Sequence, residues 1–257
     1  MGGGGMNTEN GPLLKVSNLS KSFGGVMAAF DISFEVKKGE LLGIIGPNGS
    51  GKTTLVNLIT GFVKPDSGRV EYRGRDITGW APYRIVSLGV ARTFQMVRPF
   101  YQLPAFKNLI VPLSSPRVKK LAGGRYGDRD AVALDLLEEV GFERDARVAY
   151  KTAGSLPQGY LKRLELAKGM ALRPDLVILD ELFSGLSLAE VASIVPIIEK
   201  LVLQGKTIIM IEHRLKELFR IADRVMVLNF GEKIAEGAGS EVMESDAVKQ
   251  AYLGSET

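Results

Sequence analysis

Gly46-Pro47-Asn48-Gly49-Ser50-Gly51-Lys52-Thr53-Thr54 fits the pattern G-x-x-x-x-G-K-[ST], and its reading decides the fold. Just upstream, Leu41-Leu42-Gly43-Ile44-Ile45 is an apolar run of strand length. Just downstream, Thr54-Leu55-Val56-Asn57-Leu58-Ile59 reads as a helix. Strand, Gly-rich loop and helix together turn backbone N–H groups inward around a polyphosphate. The helix N-terminus adds its partial positive charge. In such a cradle Lys52 reaches the β- and γ-phosphates and Thr53 holds Mg²⁺. Taken alone, the stretch leaves open a Gly-rich turn with a surface lysine.

The flanking sequence extends this reading in both directions. Residues 1–12 open on a glycine run and a second methionine, and read as a flexible tail. Residues 13–36 alternate apolar and polar around Gly24-Gly25, which predicts an antiparallel sheet ahead of the loop. Phe23 precedes that turn; by itself it reads more readily as a core or turn aromatic than as a ring stacked on a base. Beyond the loop helix, Arg69-Val70-Glu71-Tyr72 is another alternating strand. Residues 97–156 change character: prolines break the early part, residues 121–127 are Gly-rich, and residues 128–140 carry Val132, Leu136, Leu137 and Val140 on one helical face. A second helix over residues 160–172 turns Leu161, Leu164, Ala167 and Ala171 inward, with Lys162, Arg163, Glu165 and Lys168 outward. The whole forms a helical lobe inserted at about residues 97–172 of a single domain, residues 13–257. Residues 207–211 and 225–228 predict further buried strands, residues 231–237 a hairpin, and residues 191–201 a helix bent at Pro196. Strands alternating with helices imply an α/β fold with a parallel sheet.

Three further positions carry chemistry. Leu176-Val177-Ile178-Leu179-Asp180-Glu181 is a buried strand ending in two acids. Beside a phosphate loop, Asp180 would assist Mg²⁺ through water and Glu181 would polarise an attacking water. His213, the chain's one histidine, follows the strand of residues 207–211, and strand carboxyl ends face the ligand crevice in α/β sheets. That position favours contact with the γ-phosphate or the water. Gln95 offers a carbonyl that can ligate Mg²⁺ or hold water, although its residue type alone does not separate it from a loop glutamine.

Composition narrows the class. The 257 residues are 45% hydrophobic and 24% charged, enough for one sizeable globular core. No run of eighteen apolar residues spans a bilayer, and no secretory pattern opens the chain. Cysteine is absent, which excludes a disulfide framework and thiolate metal ligands and suits the cytosol. The net charge of +4 is too dispersed to argue for nucleic acid. A guanine-reading N-K-x-D motif is missing, which argues against a GTP switch.

The ordered series Phe23, residues 46–54, Gln95, Leu156-Pro157-Gln158-Gly159-Tyr160, Asp180-Glu181 and His213 resembles the ATP-binding subunit of ABC transporters over nearly the whole chain. The resemblance implies an ABC ATPase fold: a phosphate-loop core with a parallel sheet, an antiparallel β subdomain and an inserted helical subdomain. It implies ATP and Mg²⁺ as ligands. Phe23 would stack on adenine, and Gly46, Pro47, Asn48, Gly49, Ser50, Gly51, Lys52, Thr53 and Thr54 would bind the phosphates. Thr53, Gln95 and Asp180 would serve the metal. Glu181 would be the base, with His213 and Gln95 in the catalytic set. Gln158 and Gly159 would belong to the signature loop that meets the partner subunit's nucleotide. The subgroup that Arg92-Thr93-Phe94-Gln95, Ile211-Glu212-His213 and Ala251-Tyr252-Leu253-Gly254 resemble is the branched-chain amino-acid uptake ATPases. This implies a prokaryotic protein on the cytoplasmic face of the inner membrane. Its partners would be a second ATPase subunit, identical or paralogous, two permease subunits, a helix of which would enter a groove formed by residues 97–106 with the inserted lobe, and, indirectly, an external solute-binding protein. The sequence departs from the family at Pro157, Gln158 and Tyr160 of the signature, at Leu182 where proline is usual, and at Ser187 where aspartate is common. A soluble ABC-type ATPase uncoupled from transport is the competing class.

Overall fold

The computed structural model describes residues 11–122, 127–144 and 147–253. Residues 1–10 of the expected tail, residues 123–126 of the Gly-rich segment and Gly254 lie outside the described residues.

Two sheets frame the chain. The first is antiparallel, in the order β2-β1-β4-β5. Its strands are β1 (Leu14–Phe23), β2 (Val26–Val36), β4 (Ser67–Tyr72) and β5 (Arg75–Asp76), with Gly24-Gly25 turning β1 into β2. The second has the order β10-β9-β3-β8-β7-β6. It comprises β3 (Leu41–Ile45), β6 (Val90–Arg92), β7 (Leu176–Asp180), β8 (Thr207–Ile211), β9 (Arg224–Asn229) and β10 (Glu232–Gly237). All its pairings are parallel except β9 with β10, the hairpin expected at the end of the core.

Every residue of β3, β7 and β8 is buried, which is why they read as unbroken apolar runs. Alternate side chains serve different cores. Leu42, Ile44, Ile178, Ile209 and Ile211 pack with the antiparallel sheet and the loop helix, whereas Leu41, Ile45, Val177, Leu179, Ile208 and Met210 pack with the helices on the other face. Truncating one of these to alanine costs about 2–5 kcal/mol, so the sheet is a rigid platform for whatever its ends carry.

The helices are α1 (Lys52–Ile59), α2 (Pro82–Leu88), α3 (Ile110–Leu113), α4 (Pro116–Leu121), α5 (Arg129–Glu139), α6 (Gln158–Ala171), α7 (Leu188–Leu203), α8 (Leu215–Ile221), α9 (Gly239–Glu244) and α10 (Asp246–Leu253). From α3 to α6 they form the helical insertion between β6 and β7. Asp128 caps α5 by accepting from the Asp130 and Ala131 N–H groups. Ser187 and Glu190 form a capping box on α7, which continues through Pro196 to Leu203.

Two expectations fail here. Lys162 and Glu165, placed outward by helical period, are 1% and 7% exposed. Phe106, expected to line the groove for a permease helix, is 8% exposed, packs into the core, and its ring lies 5.3 Å from that of Tyr150. No helix among the described residues is long and apolar enough to cross a membrane.

Candidate functional site

Parallel strands place their carboxyl ends together. The loop of residues 46–51 leaves β3, Asp180 and Glu181 end β7, Glu212 and His213 follow β8, and Thr93–Gln95 follow β6. Ile44 and Asp180 both pair with Ile211, so these ends lie level.

The loop geometry requires its glycines. Gly46 has φ 151°, and a Cβ there would stand 2.1 Å from the Leu228 carbonyl oxygen. Gly51 has φ 100° and would meet the Ala28 carbonyl oxygen at 2.4 Å. Gly51 caps α1 in a left-handed conformation, so the first-turn N–H groups of Lys52, Thr53 and Thr54 open toward the loop. Pro47, Asn48 and Gly49 form the loop's outer rim, and Ser50 is buried beneath it. Lys52 is buried and folds back: its Nζ donates to the Gly46 and Pro47 carbonyls at 2.7 and 2.8 Å. Burial pushes its pKa down. The ammonium therefore sits inside the cradle, on carbonyls that a phosphate oxygen can replace. Tyr252 of α10 accepts a hydrogen bond from the Gly46 N–H, and burial raises its phenol pKa. Thus the C-terminal helix braces the loop's first glycine.

Glu181 lies just past β7 with φ 50°, a left-handed backbone for a non-glycine residue. Its Oε2 accepts from Gln95 Nε2 at 2.6 Å, and its Oε1 lies 3.2 Å from His213 Nε2. The three residues picked from sequence on separate grounds thus converge on one carboxylate. Asp180, 5% exposed, is paired with Arg92: Nη2 donates to its Oδ2 at 2.7 Å. Arg92 Nη1 donates to Asn57 Oδ1 at 2.7 Å, while Arg92 Nε is buried without a partner. Thr53, Gln95, Asp180 and Arg92 line a common cleft of about 560 Å³. One hydroxyl and one carboxylate facing a phosphate cradle suit Mg²⁺, which is bound by few protein oxygens plus phosphate and water. Among the described residues no group of three acids or histidines forms an all-protein metal cage.

Beneath Glu181 lies Glu212, 2% exposed, whose Oε1 accepts from the Phe183 N–H at 2.8 Å. Burial pushes its carboxyl up to about 7, against the pull of the Phe183 N–H and of Lys162.

The stretch expected to be the signature loop leads into α6. Pro157 caps α6, Gln158 and Gly159 are the first helical residues, and Gln158 lines a groove with Gln95, Lys162, Ser184 and Gly185. The Gly159 N–H donates to the Glu190 carboxylate, which the Ser187 N–H, the Ser187 hydroxyl and this amide together hold below the usual carboxylate range. A Cβ at Gly159 would lie 2.7 Å from Glu190 Oε1. Phe23 stands at the tip of the β1–β2 turn, 48% exposed, with Lys21 Nζ 5.4 Å from its ring centre.

Arg92, Lys162, Glu190, Glu212 and Tyr252 are the residues here that sequence reasoning left without a role. Arg92, Glu212 and Tyr252 each stood inside a motif of the family resemblance, whereas Lys162 and Glu190 carried no such signal.

The family description "ABC transporter" matches residues 29–184. The high-affinity branched-chain amino acid transport ATP-binding protein BraF of Pseudomonas aeruginosa is 35% identical over 253 residues, 95% of this chain and 98% of that protein. The ADP conformation of an ATP-binding cassette from an ABC transporter superposes with a TM-score of 0.83 at 31% identity, over 95% of this chain and 99% of that one. A dimeric cassette in a post-hydrolysis state, bound to ADP and Pi, gives 0.77 at 26% identity over 88% and 98%. These likenesses span 88–95% of the chain, and the chain belongs to the ABC transporter family as one of its ATPase cassettes.

Proposed function

We propose that the chain is the ATP-hydrolysing subunit of an importer for branched-chain or related amino acids, acting as a dimer beneath two permease subunits on the cytoplasmic membrane face. The observation that carries this reading is the meeting of Gln95, Glu181 and His213 on one carboxylate at the mouth of the phosphate loop. Lys52 exchanges the Gly46 and Pro47 carbonyls for the β- and γ-phosphates, and the α1 amides complete the cradle. Thr53 and Asp180 hold Mg²⁺ with Gln95 beside them; the ion supplies charge neutralisation of the phosphates. Glu181 takes the proton of the attacking water as the bond from the γ-phosphorus to ADP breaks. Each Glu181 oxygen retains a lone pair for that water beside its bond to Gln95 or His213. Phe23 stacks on adenine. Gln158 and the Gly159 amide, at the start of α6, face the partner subunit's nucleotide.

The aromatic stretch after Gln95 supports the permease contact: Phe94, Met96, Phe100, Tyr101 and Leu103 are 43–63% exposed on the segment that ends at the catalytic carboxylate. The branched-chain substrate class rests on the similarity to BraF. An external solute-binding protein completes the transporter. The test is affinity capture of the tagged chain from detergent-solubilised membranes of its own host. Recovery of two apolar permease subunits is the expected result. Recovery of an active ATPase without membrane partners would favour a soluble ABC ATPase instead.

A further inference from the structure

Helix α6 carries an ammonium group that its polar pattern sends to solvent and the fold sends inward. Lys162 is 1% exposed. Its Nζ donates to the Gln95 carbonyl at 2.9 Å and to the Glu181 carbonyl at 3.1 Å. These carbonyls belong to the same two residues whose side chains meet at 2.6 Å. Gln95 and Glu181 are therefore joined twice, once through their side chains and once through their backbones, and the second joint is Lys162.

The surroundings explain how a buried charge survives there. Burial lowers the Lys162 pKa, and Glu212, Glu181, Glu165 and Asp180 raise it. Burying an ammonium is costly even when paired, and a packed apolar side chain would serve a purely structural helix better. Glu181 adopts a left-handed backbone, a strained state that persists only where surroundings over-determine it. Its N–H donates to the Ile211 carbonyl at 3.0 Å, and its own carbonyl accepts from Lys162. Lys162 lies one helical turn beyond Gln158 and Gly159, so the same helix carries the signature residues at its start and this joint behind them.

We propose that Lys162 is a positioning residue for ATP hydrolysis. It fixes the Gln95 and Glu181 backbones relative to each other and ties both to the helix that begins at the signature residues. This rests on the reading of Glu181 as the base. Lys162 acts through the Gln95 and Glu181 backbones, whose carbonyls its Nζ holds.

The test uses the full chain in five forms: wild type, Lys162→Met, Lys162→Arg, Glu181→Gln and the double variant Lys162→Met with Glu181→Gln. ATP affinity, steady-state kcat and thermal unfolding are measured on each. Lys162→Met is expected to lower kcat about 10²-fold, the cost of an ångström-scale misplacement, while ATP affinity stays within about threefold. Lys162→Arg, which keeps charge and donors, is expected to recover most of that loss. In the Glu181→Gln background Lys162→Met should cost nothing more, because both changes remove one function. Should Lys162→Met not fold, Lys162→Gln carries the same comparison. A kcat within about threefold of wild type per folded molecule, or equal losses in both backgrounds, overturns the proposal. A Glu181→Gln protein that turns over normally overturns instead the assignment of the base, and the proposal with it.

Discussion

Arg92→Met removes the charge that neutralises Asp180, and its cost follows from the geometry. The two side chains are 8% and 6% exposed and meet at 2.7 Å. Breaking a pair this buried costs about 3–5 kcal/mol, because the remaining carboxylate is left uncompensated. The bond from Nη1 to Asn57 is lost as well, which adds to the cost. Against that, the variant no longer buries the partnerless Nε, whose desolvation is worth about 1–3 kcal/mol. A net loss of about 3 kcal/mol is expected, or roughly 6–12 °C in melting temperature for a domain of this size. Urea unfolding of Arg92→Met, Asp180→Asn and the double variant measures it, with a coupling of about 2–3 kcal/mol expected between the sites. Mg–ATP brings a second cation to Asp180, so the destabilisation should shrink when it is saturating. Additivity of the two single losses within about 0.5 kcal/mol would refute the claim that Arg92 holds the metal-site carboxylate.

Glu212 gives the stability a pH dependence. Its folded pKa is raised from 4.5 to about 7, so the folded state binds the proton more tightly. That contribution is complete below pH 4.5 and is lost as pH rises through 7, on the order of 3 kcal/mol in all. Glu212→Gln should flatten the urea-unfolding profile between pH 5 and 8; parallel profiles would contradict this. Glu190→Gln keeps an N3 acceptor for the α7 cap but removes a negative charge from the Gly159 amide. Its KM for ATP should fall by about two- to tenfold with an unchanged melting temperature, and a raised KM would count against the signature assignment. Phe100→Asp, on a residue 53% exposed, should leave ATPase activity within about twofold while transport is lost. Phe106→Asp, on a residue 8% exposed, should instead fail to fold.

The parallel sheet was legible because β3, β7 and β8 are buried on both faces, and each shows an uninterrupted apolar run. The loop was legible because its glycines answer steric limits that no other residue meets. Glu181 and His213 were legible because strand ends in such a sheet share one edge, whereas Gln95 was singled out only by the family resemblance. What escaped was side-chain reach across the fold. Arg92 meets a carboxylate 88 residues away, a pairing with no local signature. Helix α6 is packed on most sides: Lys162 and Glu165 are buried together with Leu164, Leu166, Ala167 and Met170. Arg163 and Lys168 remain partly exposed, so helical period misplaced only Lys162 and Glu165. Phe106 sat in the Pro-rich stretch expected to receive a permease helix, whereas Phe106–Leu109 forms a short 3-10 turn anchored in the core.

The most direct measurement of the central claim is single-turnover ATP hydrolysis by Glu181→Gln beside ATP binding and dimerisation of the same protein. The substitution keeps the side chain's shape, with its amide oxygen placed to accept from Gln95 and its NH2 to donate to the Nδ1–H tautomer of His213, but it cannot take a proton from water. The expected protein binds Mg–ATP as tightly as wild type, dimerises with it, and hydrolyses it at least about 10²-fold more slowly. Hydrolysis at the wild-type rate would show that the carboxylate on which Gln95 and His213 converge is not the base.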